Sequence, residues 1–161
     1  MSFIFIATTM SKHFTFLRHS QSVYNRDGKS GRDPRLTKDG RDNASQLKGD
    51  YEYALVSCMR RTRETFSYAS NLTAGDVEYN ALCREKISGA RHSGSNLMKG
   101  EENIDETEED FQFRISLLKT FLRYKAKEYE TILIVCHSGV IEAITGERMG
   151  NGESIGLNEL L

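Results

Sequence analysis

Short apolar runs alternate along the chain with segments of helical spacing, a pattern that predicts alternating strands and helices. Residues 14–17 are apolar and end at a charged pair, and residues 53–57 form a second apolar run. Thr131–Cys136 is apolar almost throughout, as expected of a central strand covered on both faces. Weaker strands are predicted at residues 76–79 and Ser154–Leu157.

Four segments between these strands have the composition or spacing of helices. Thr37 is a favourable N-cap, and Thr107 forms a capping-box pattern with Asp110, followed by apolar residues three and four apart. The predicted helices cover residues 38–48, 60–70, 108–122 and 140–146. Strands that alternate with helices favour an α/β fold. We therefore expect a three-layer α/β/α sandwich with a mostly parallel central sheet.

Two segments lack any periodicity. Residues 25–35 and 86–105 are rich in glycine and charged residues, so we predict loops, the second of which is long enough to form a lid. There is no repeat or linker composition, and we expect residues 1–161 to form a single domain. Residues 1–9 are interpreted as an extension outside the core, because Met10 offers a second start.

The composition narrows the classes of partner. With 22 basic and 23 acidic side chains, the net charge of −1 provides no attraction for nucleic acid or an acidic membrane surface. No stretch approaches the roughly 20 apolar residues of a membrane span. Three cysteines without paired spacing indicate free thiols in a reducing compartment. We expect a cytoplasmic protein that binds neither nucleic acid nor a membrane, and the sequence leaves its oligomeric state open.

Side chains suited to phosphate chemistry follow three of the predicted strands. His19 and His137 each stand directly after an apolar strand, and residues 60–63, which contain three arginines, follow a third. Ligands of open α/β sheets bind beyond the carboxyl ends of the strands, so we expect these side chains to meet at one edge. Arg18 adds another guanidinium. A histidine after a strand is usually structural when it stands alone, but together these residues predict a cationic pocket suited to phosphate.

These side chains also lie within five ordered motifs. Residues 18–25 read RHSQSVYN, residues 34–40 PRLTKDG, residues 57–62 SCMRRT, residues 82–85 LCRE and residues 135–141 VCHSGVI. In this order they resemble the motifs of the histidine phosphatase superfamily, the phosphoglycerate mutase-like group. The family patterns are RHG-x-x-x-x-N, PLT-x-x-G, S-x-L-x-R-T, a segment that supplies an acid, and V-x-HGG-V-I.

The resemblance implies a role for each matching residue. His19 would be the nucleophile that forms a phosphohistidine, with His137 as the second catalytic histidine. Glu85 would be the general acid and base, in the branch that places this glutamate before the second histidine. The implied phosphate-binding residues are Arg18, Ser22, Asn25 and Arg61. No metal or cofactor is implied. The nucleophile must be neutral, and the neighbouring arginines would disfavour its protonation.

The chain departs from the family pattern at two positions that are usually glycine. Ser20 and Ser138 stand there, so we expect substrate to approach the backbone less closely. Neither departure removes a catalytic group, and the cysteine-based phosphatase motif Cys-x5-Arg is not found.

The predicted function is hydrolysis of phosphate monoesters, with a phosphorylated small molecule or a phosphoprotein as substrate. A phosphoglycerate mutase-like phosphotransferase remains open, although the short stretch between Glu85 and His137 favours access of water and therefore hydrolysis. A protein phosphohistidine phosphatase is a second enzymatic alternative. A non-catalytic module that binds phosphorylated ligands is the alternative from another class.

Overall fold

The computed structural model describes residues 13–28, 33–86 and 106–161. The predicted extension at residues 1–9 and almost all of the predicted lid at residues 86–105 therefore lie outside the described residues. Part of the predicted loop at residues 25–35 does so as well.

A five-stranded sheet forms the centre of the fold. The strands are β1 (His13–Arg18), β2 (Lys48–Ser57), β3 (Asn71–Asn80), β4 (Thr131–Cys136) and β5 (Ser154–Leu157). Their order in the sheet is β3-β2-β4-β1-β5. Only β5 runs antiparallel to its neighbour, and the other pairs are parallel, which confirms the prediction of a mostly parallel sheet.

Helices connect these strands, and two of them begin at the predicted caps. The helices are α1 (Val23–Asp27), α2 (Lys38–Ala44), α3 (Arg60–Tyr68), α4 (Glu108–Lys125) and α5 (Ser138–Thr145), with a short 3₁₀ helix at Ala81–Cys83. The Thr37 hydroxyl accepts a hydrogen bond from the Gly40 amide at 2.9 Å, and Thr107 accepts one from the Asp110 amide at 3.1 Å. Each cap satisfies an amide that has no partner within its helix.

Alternate residues of the central strands pack into two separate cores, one on each face of the sheet. On one face, Leu55 and Ile134 pack with side chains of α4 and α5 such as Ile115 and Ile141. On the opposite face, their neighbours, which include Val56 and Val135, pack with Ala69 and with Phe66 of α3. The side-chain period of a strand is two, so an apolar run such as β4 fills both cores. The result is the predicted three-layer arrangement.

Several boundaries differ from the prediction. The loop predicted at residues 25–35 begins later than expected, because Ser22 and Asn25 form a capping box that starts α1. Helix α2 ends at Ala44 rather than near Lys48, where β2 already begins. The first half of β2 alternates between exposed and partly buried residues, so it has no apolar run to reveal it. Strand β3 is also longer than predicted, because it pairs with β2 along nearly its whole length.

Candidate active site

The two histidines meet at one edge of the sheet because their strands are parallel neighbours. In the β1–β4 pair, Arg18 lies opposite Cys136, so the next residue of each strand emerges at the same place. The ring centroids of His19 and His137 are 5.2 Å apart, with the planes tilted by 58°. Both side chains are buried.

Hydrogen bonds define the protonation state of His19. Its Nδ1 lies 2.8 Å from the Ser20 carbonyl, which can only accept, so Nδ1 carries the proton. Nε2 accepts a hydrogen bond from Arg61 Nε at 3.1 Å, and an arginine can only donate. The imidazole is therefore neutral, with a lone pair on Nε2. Burial and the charge of Arg61 hold the pKa of His19 well below its usual value.

Two arginines flank this imidazole, Arg61 buried and Arg18 partly buried. Arg61 lies in the first turn of α3, and Arg18 ends β1. Arg18 Nη1 donates to the Met149 carbonyl at 2.7 Å, while its buried Nε has no hydrogen-bond partner in the part of the chain described. Burial lowers the pKa of both guanidiniums, but arginine remains charged at any physiological pH. An anion in contact with both groups would restore the solvation that burial removes.

Only one of the three arginines in residues 60–63 reaches the site, contrary to the expectation that all three would. Arg60 and Arg63 are exposed, and Arg60 Nε forms an ion pair with Glu64 at 2.6 Å. The phase of α3 explains the difference, because successive helical residues point about 100° apart. Arg61 faces the sheet edge and is almost completely buried.

A cavity of about 140 Å³ opens in front of His19. Its wall contains six of the seven predicted site residues, together with Tyr24 and Pro34, which the sequence did not single out. The six are Arg18, His19, Ser22, Asn25, Arg61 and Glu85. The seventh, His137, lies beside His19, where its Nε2 is 2.9 Å from the Ser57 hydroxyl.

Asn25 is held by the residues around it. The backbone amide and hydroxyl of Ser22 both donate to Asn25 Oδ1, at 3.0 and 2.8 Å. Asn151 Nδ2 donates to the same oxygen at 3.2 Å and to the His19 carbonyl at 3.1 Å. With Oδ1 occupied by donors, the amide nitrogen of Asn25 is the group suited to meet a phosphoryl oxygen. Asn151 lies outside the five motifs and was not predicted as a site residue.

Ser20, one of the two replaced glycines, does not contribute to the cavity wall. Its hydroxyl donates to Asn43 Oδ1 of α2 at 2.8 Å, and its amide donates to the Thr65 hydroxyl of α3 at 2.9 Å. The serine therefore connects the segment after β1 to two helices. Ser138, the other replacement, begins α5.

Glu85 approaches the cavity from the segment after the 3₁₀ helix. Its Oε1 accepts a hydrogen bond from the Lys86 amide at 3.1 Å. The carboxylate also lies against Gly139 of α5, where a Cβ atom would come within 2.6 Å of Oε1. Only glycine leaves room for the carboxylate in this position. The cavity thus combines a neutral imidazole, two cations and a carboxyl group.

Two features are absent from residues 13–28, 33–86 and 106–161. These residues contain no group of three or more His, Cys, Asp or Glu side chains arranged to hold a metal ion. Within the same residues, no helix has both the length and the apolar character needed to cross a membrane.

Comparison with known proteins identifies the family to which this chain belongs. A family model of the histidine phosphatase superfamily (branch 1) matches residues 14–156. A search of curated proteins found no match. Among solved structures, a putative alpha-ribazole-5'-P phosphatase from Escherichia coli superposes with a TM-score of 0.71 at 18% identity, covering 94% of each chain.

Two further solved structures share the fold. A phosphoglycerate mutase from Thermus thermophilus superposes with a TM-score of 0.66 at 18% identity, covering 92% of this chain and 96% of its own. A mycobacterial glucosyl-3-phosphoglycerate phosphatase in complex with VO3 gives 0.64 at 18% identity, covering 91% and 90%. These TM-scores establish a shared fold, and the family match covers most of the chain. The protein therefore belongs to branch 1 of the histidine phosphatase superfamily.

Proposed function

We propose that this protein hydrolyses phosphate monoesters through a phosphohistidine on His19, with Glu85 as general acid and base. The observation that carries the proposal is the neutral state of His19. Its Nδ1 proton is held by the Ser20 carbonyl, and its Nε2 lone pair lies at the wall of a cationic cavity. A site that only binds phosphate gains from a protonated imidazole, whereas a nucleophile needs the lone pair.

In the first step, Nε2 of His19 attacks phosphorus in line and the P–O ester bond breaks. The acid form of Glu85 gives its proton to the departing oxygen, so the alcohol leaves neutral. Arg61 turns its donor from Nε2 to a phosphoryl oxygen, and Arg18 and the Asn25 amide bind the others. These donors stabilise the charge of the transition state. His137, which packs beside His19, also stabilises the negative charge of the transition state.

In the second step, water attacks phosphorus and the P–N bond breaks. The Glu85 carboxylate accepts a proton from the water, which restores its acid form. Inorganic phosphate leaves, and His19 returns to its neutral state. The proton on Nδ1 remains hydrogen-bonded to the Ser20 carbonyl throughout, because phosphorylation occurs at the other nitrogen. No proton has to cross the ring.

We further propose a small phosphorylated molecule as substrate and a cytoplasmic location. Two solved structures of the same fold are named as phosphatases of small phosphorylated molecules, which supports the first proposal. Three free cysteines, two of them fully buried, fit a reducing compartment. A phosphoprotein remains the second class of substrate.

The test is phosphate release from p-nitrophenyl phosphate, a panel of natural phosphate monoesters and a phosphohistidine-containing protein, all in EDTA. Wild type is compared with His19→Ala and with His13→Ala, a matched control because His13 is an exposed histidine at the opposite end of β1. An alkaline quench preserves any phosphohistidine for detection. We expect turnover and a transient phosphoenzyme in wild type and His13→Ala, and neither in His19→Ala.

Other outcomes would replace the proposal with a named alternative. A phosphoenzyme that forms but resists water would indicate a mutase-like phosphotransferase. Turnover confined to the phosphohistidine-containing protein would indicate a protein phosphohistidine phosphatase. A folded wild type that binds phosphate esters without turnover or phosphoenzyme would indicate a binding module.

A further inference from the structure

A buried cluster of charges lies behind the segment that carries Glu85. Arg114 of α4 binds Glu106 in a bidentate ion pair, with Nε–Oε1 and Nη2–Oε2 distances of 2.7 and 2.8 Å. Arg84 Nη1 donates to the same carboxylate at 3.1 Å. The three side chains are only 6 to 14% exposed. Burying charges costs free energy that their mutual attraction only partly returns, so such a cluster is weak evidence for a purely stabilising role.

The remaining nitrogen of Arg114 connects this cluster to the backbone of the acid segment. Nη1 donates to the carbonyls of Leu82 and Arg84, at 2.8 and 2.9 Å. The Arg84 carbonyl belongs to the peptide bond that leads into Glu85. On the other side, the Glu85 carbonyl accepts a hydrogen bond from Arg84 Nη1 at 3.3 Å. The cluster therefore holds the main chain both before and after the Cα atom of Glu85.

This segment needs such external support. Residues 84–86 lie in neither a helix nor a strand, whereas the His19 amide continues the β1–β4 ladder by donating to the Cys136 carbonyl at 3.1 Å and Arg61 lies within α3. The Glu85 carboxylate itself contacts Gly139 and the Lys86 amide. A general acid acts only from within hydrogen-bond reach of the leaving oxygen, and a small displacement lowers its contribution.

We propose that Arg114, oriented by Glu106, is a positioning residue that holds Glu85 at the leaving-group side of the cavity. The inference rests on the proposed role of Glu85 as the general acid. The role of Glu85 as a general acid predicts a substrate-dependent effect of Arg114 variants that a merely structural residue would not show. A misplaced acid impairs esters whose alcohol must be protonated as it leaves, and it hardly affects p-nitrophenyl phosphate, whose phenolate leaves unaided.

The test measures kcat/KM for an alkyl phosphate and for p-nitrophenyl phosphate, because this ratio reports the step that forms the phosphoenzyme. The variants are Arg114→Lys, Glu106→Gln, Glu85→Gln and the double variant Glu85→Gln/Arg114→Lys. Arg123→Lys is the matched control: Arg123 also lies on α4 and also binds a backbone carbonyl, that of Leu160, through Nε and Nη2. Circular dichroism at the assay temperature verifies that each variant is folded.

We expect Glu85→Gln to lower kcat/KM for the alkyl ester by about 10²–10⁴-fold, and far less for the aryl ester. Arg114→Lys should lower the alkyl value by about 10–10²-fold, again with little effect on the aryl ester. Glu106→Gln should act in the same direction. In the Glu85→Gln background, Arg114→Lys should have no further effect, because there is no acid left to position. Arg123→Lys should match wild type on both esters.

The two proposals fail in different ways. If Glu85→Gln shows the selective loss while Arg114→Lys and Glu106→Gln do not, the positioning role is wrong and the acid role of Glu85 stands. If Arg114→Lys impairs both esters equally, or adds its loss to that of Glu85→Gln, the residue is merely structural. If Glu85→Gln impairs both esters equally, the acid assignment itself is wrong and the inference falls with it. If Arg114→Lys does not fold, Glu106→Gln decides by the same criteria.

Discussion

The two sides of the cavity are built in different ways. On the side of the proposed nucleophile (the nucleophile side), His19 and His137 follow the neighbouring strands β1 and β4, and Arg61 lies in the first turn of α3. Each of the three is buried. On the acid side, Glu85 sits on a segment without regular structure, and buried polar groups from a distant helix hold its backbone. Packing in the core of the fold fixes the positions of the side chains on the nucleophile side. On the acid side, a few hydrogen bonds fix the position of Glu85.

This difference separates two requirements of the proposed chemistry. The nucleophile must hold its position through both steps, and a packed sheet edge provides that rigidity. The acid must match leaving groups of different shape, and residues that recognise ligands commonly lie on loops supported by a rigid scaffold. We expect changes on the nucleophile side to impair all substrates, and changes on the acid side to impair them selectively.

The largest effect is expected for Arg61→Lys on the nucleophile side. Lysine retains the charge but loses the fork that meets both Nε2 of His19 and a phosphoryl oxygen. Since loss of one transition-state donor typically costs about 10²–10³ in kcat, we expect a decrease of that size for alkyl and aryl esters alike. Arg63→Lys, on the exposed side of the same helix, is the control. Selective loss on the alkyl ester alone would contradict the comparison.

A smaller effect, on stability, is expected for Glu106→Gln on the acid side. Although burial acts to raise it, hydrogen bonds from Arg114 and Arg84 lower the pKa of Glu106 to about 2. A folded-state pKa below the unfolded value of about 4.3 stabilises the protein above that pH, and the contribution is lost as the pH falls toward 2. We expect the variant to lose about 3 kcal/mol of unfolding free energy near neutral pH, because a buried arginine loses its counter-charge.

Urea unfolding between neutral and acid pH tests the Glu106 prediction. The gap between wild type and Glu106→Gln should narrow as the solution is acidified. Glu142→Gln is the control, because its ion pair with Arg148 is exposed and should contribute little at any pH. A gap that does not change with pH would show that Glu106 acts through packing rather than through its charge.

The smallest effect is expected for Gly139→Ala. The new methyl group would meet the end of the flexible Glu85 side chain, so the carboxylate should move while the fold adapts easily. Because Gly139 lies in the first turn of α5 and the new methyl group meets a flexible side chain, thermal stability should hardly change. We expect kcat/KM for alkyl esters to fall about tenfold, with aryl esters nearly unaffected. Equal losses on both ester classes would contradict the acid-side assignment.

Much of the sheet was predictable from sequence, and particular strands show why. The bounds of β4 and β5 agree with the prediction, because the apolar run of β4 is uninterrupted and β5 follows a turn-rich segment. Strand β3 was recognised only over residues 76–79, because an edge strand with exposed residues has no clear pattern. Helix α1 was missed for a related reason: a five-residue helix depends on its capping box rather than on periodicity.

Some residues of the candidate site were likewise predictable from sequence, and others were not. Strands that end in a histidine, together with motifs in a fixed order, are enough to select His19, His137 and Arg61 from the sequence. The positions of Asn151, Glu106 and Arg114 were not predictable, because each contacts residues distant in sequence and none belongs to one of the five motifs. The choice among the arginines at residues 60–63 also depended on the exact phase of α3.

By itself, then, the sequence determined the α/β layers, the mostly parallel sheet and the residues proposed to carry the chemistry, because apolar periodicity and motif order are local properties. The tertiary structure alone decided that His19 is neutral with its lone pair on Nε2, since that state depends on Arg61 and on burial. It also decided how Glu85 is held, through Gly139 and the Arg114 cluster. Charges and hydrogen bonds act across space, and only the folded chain brings these partners together.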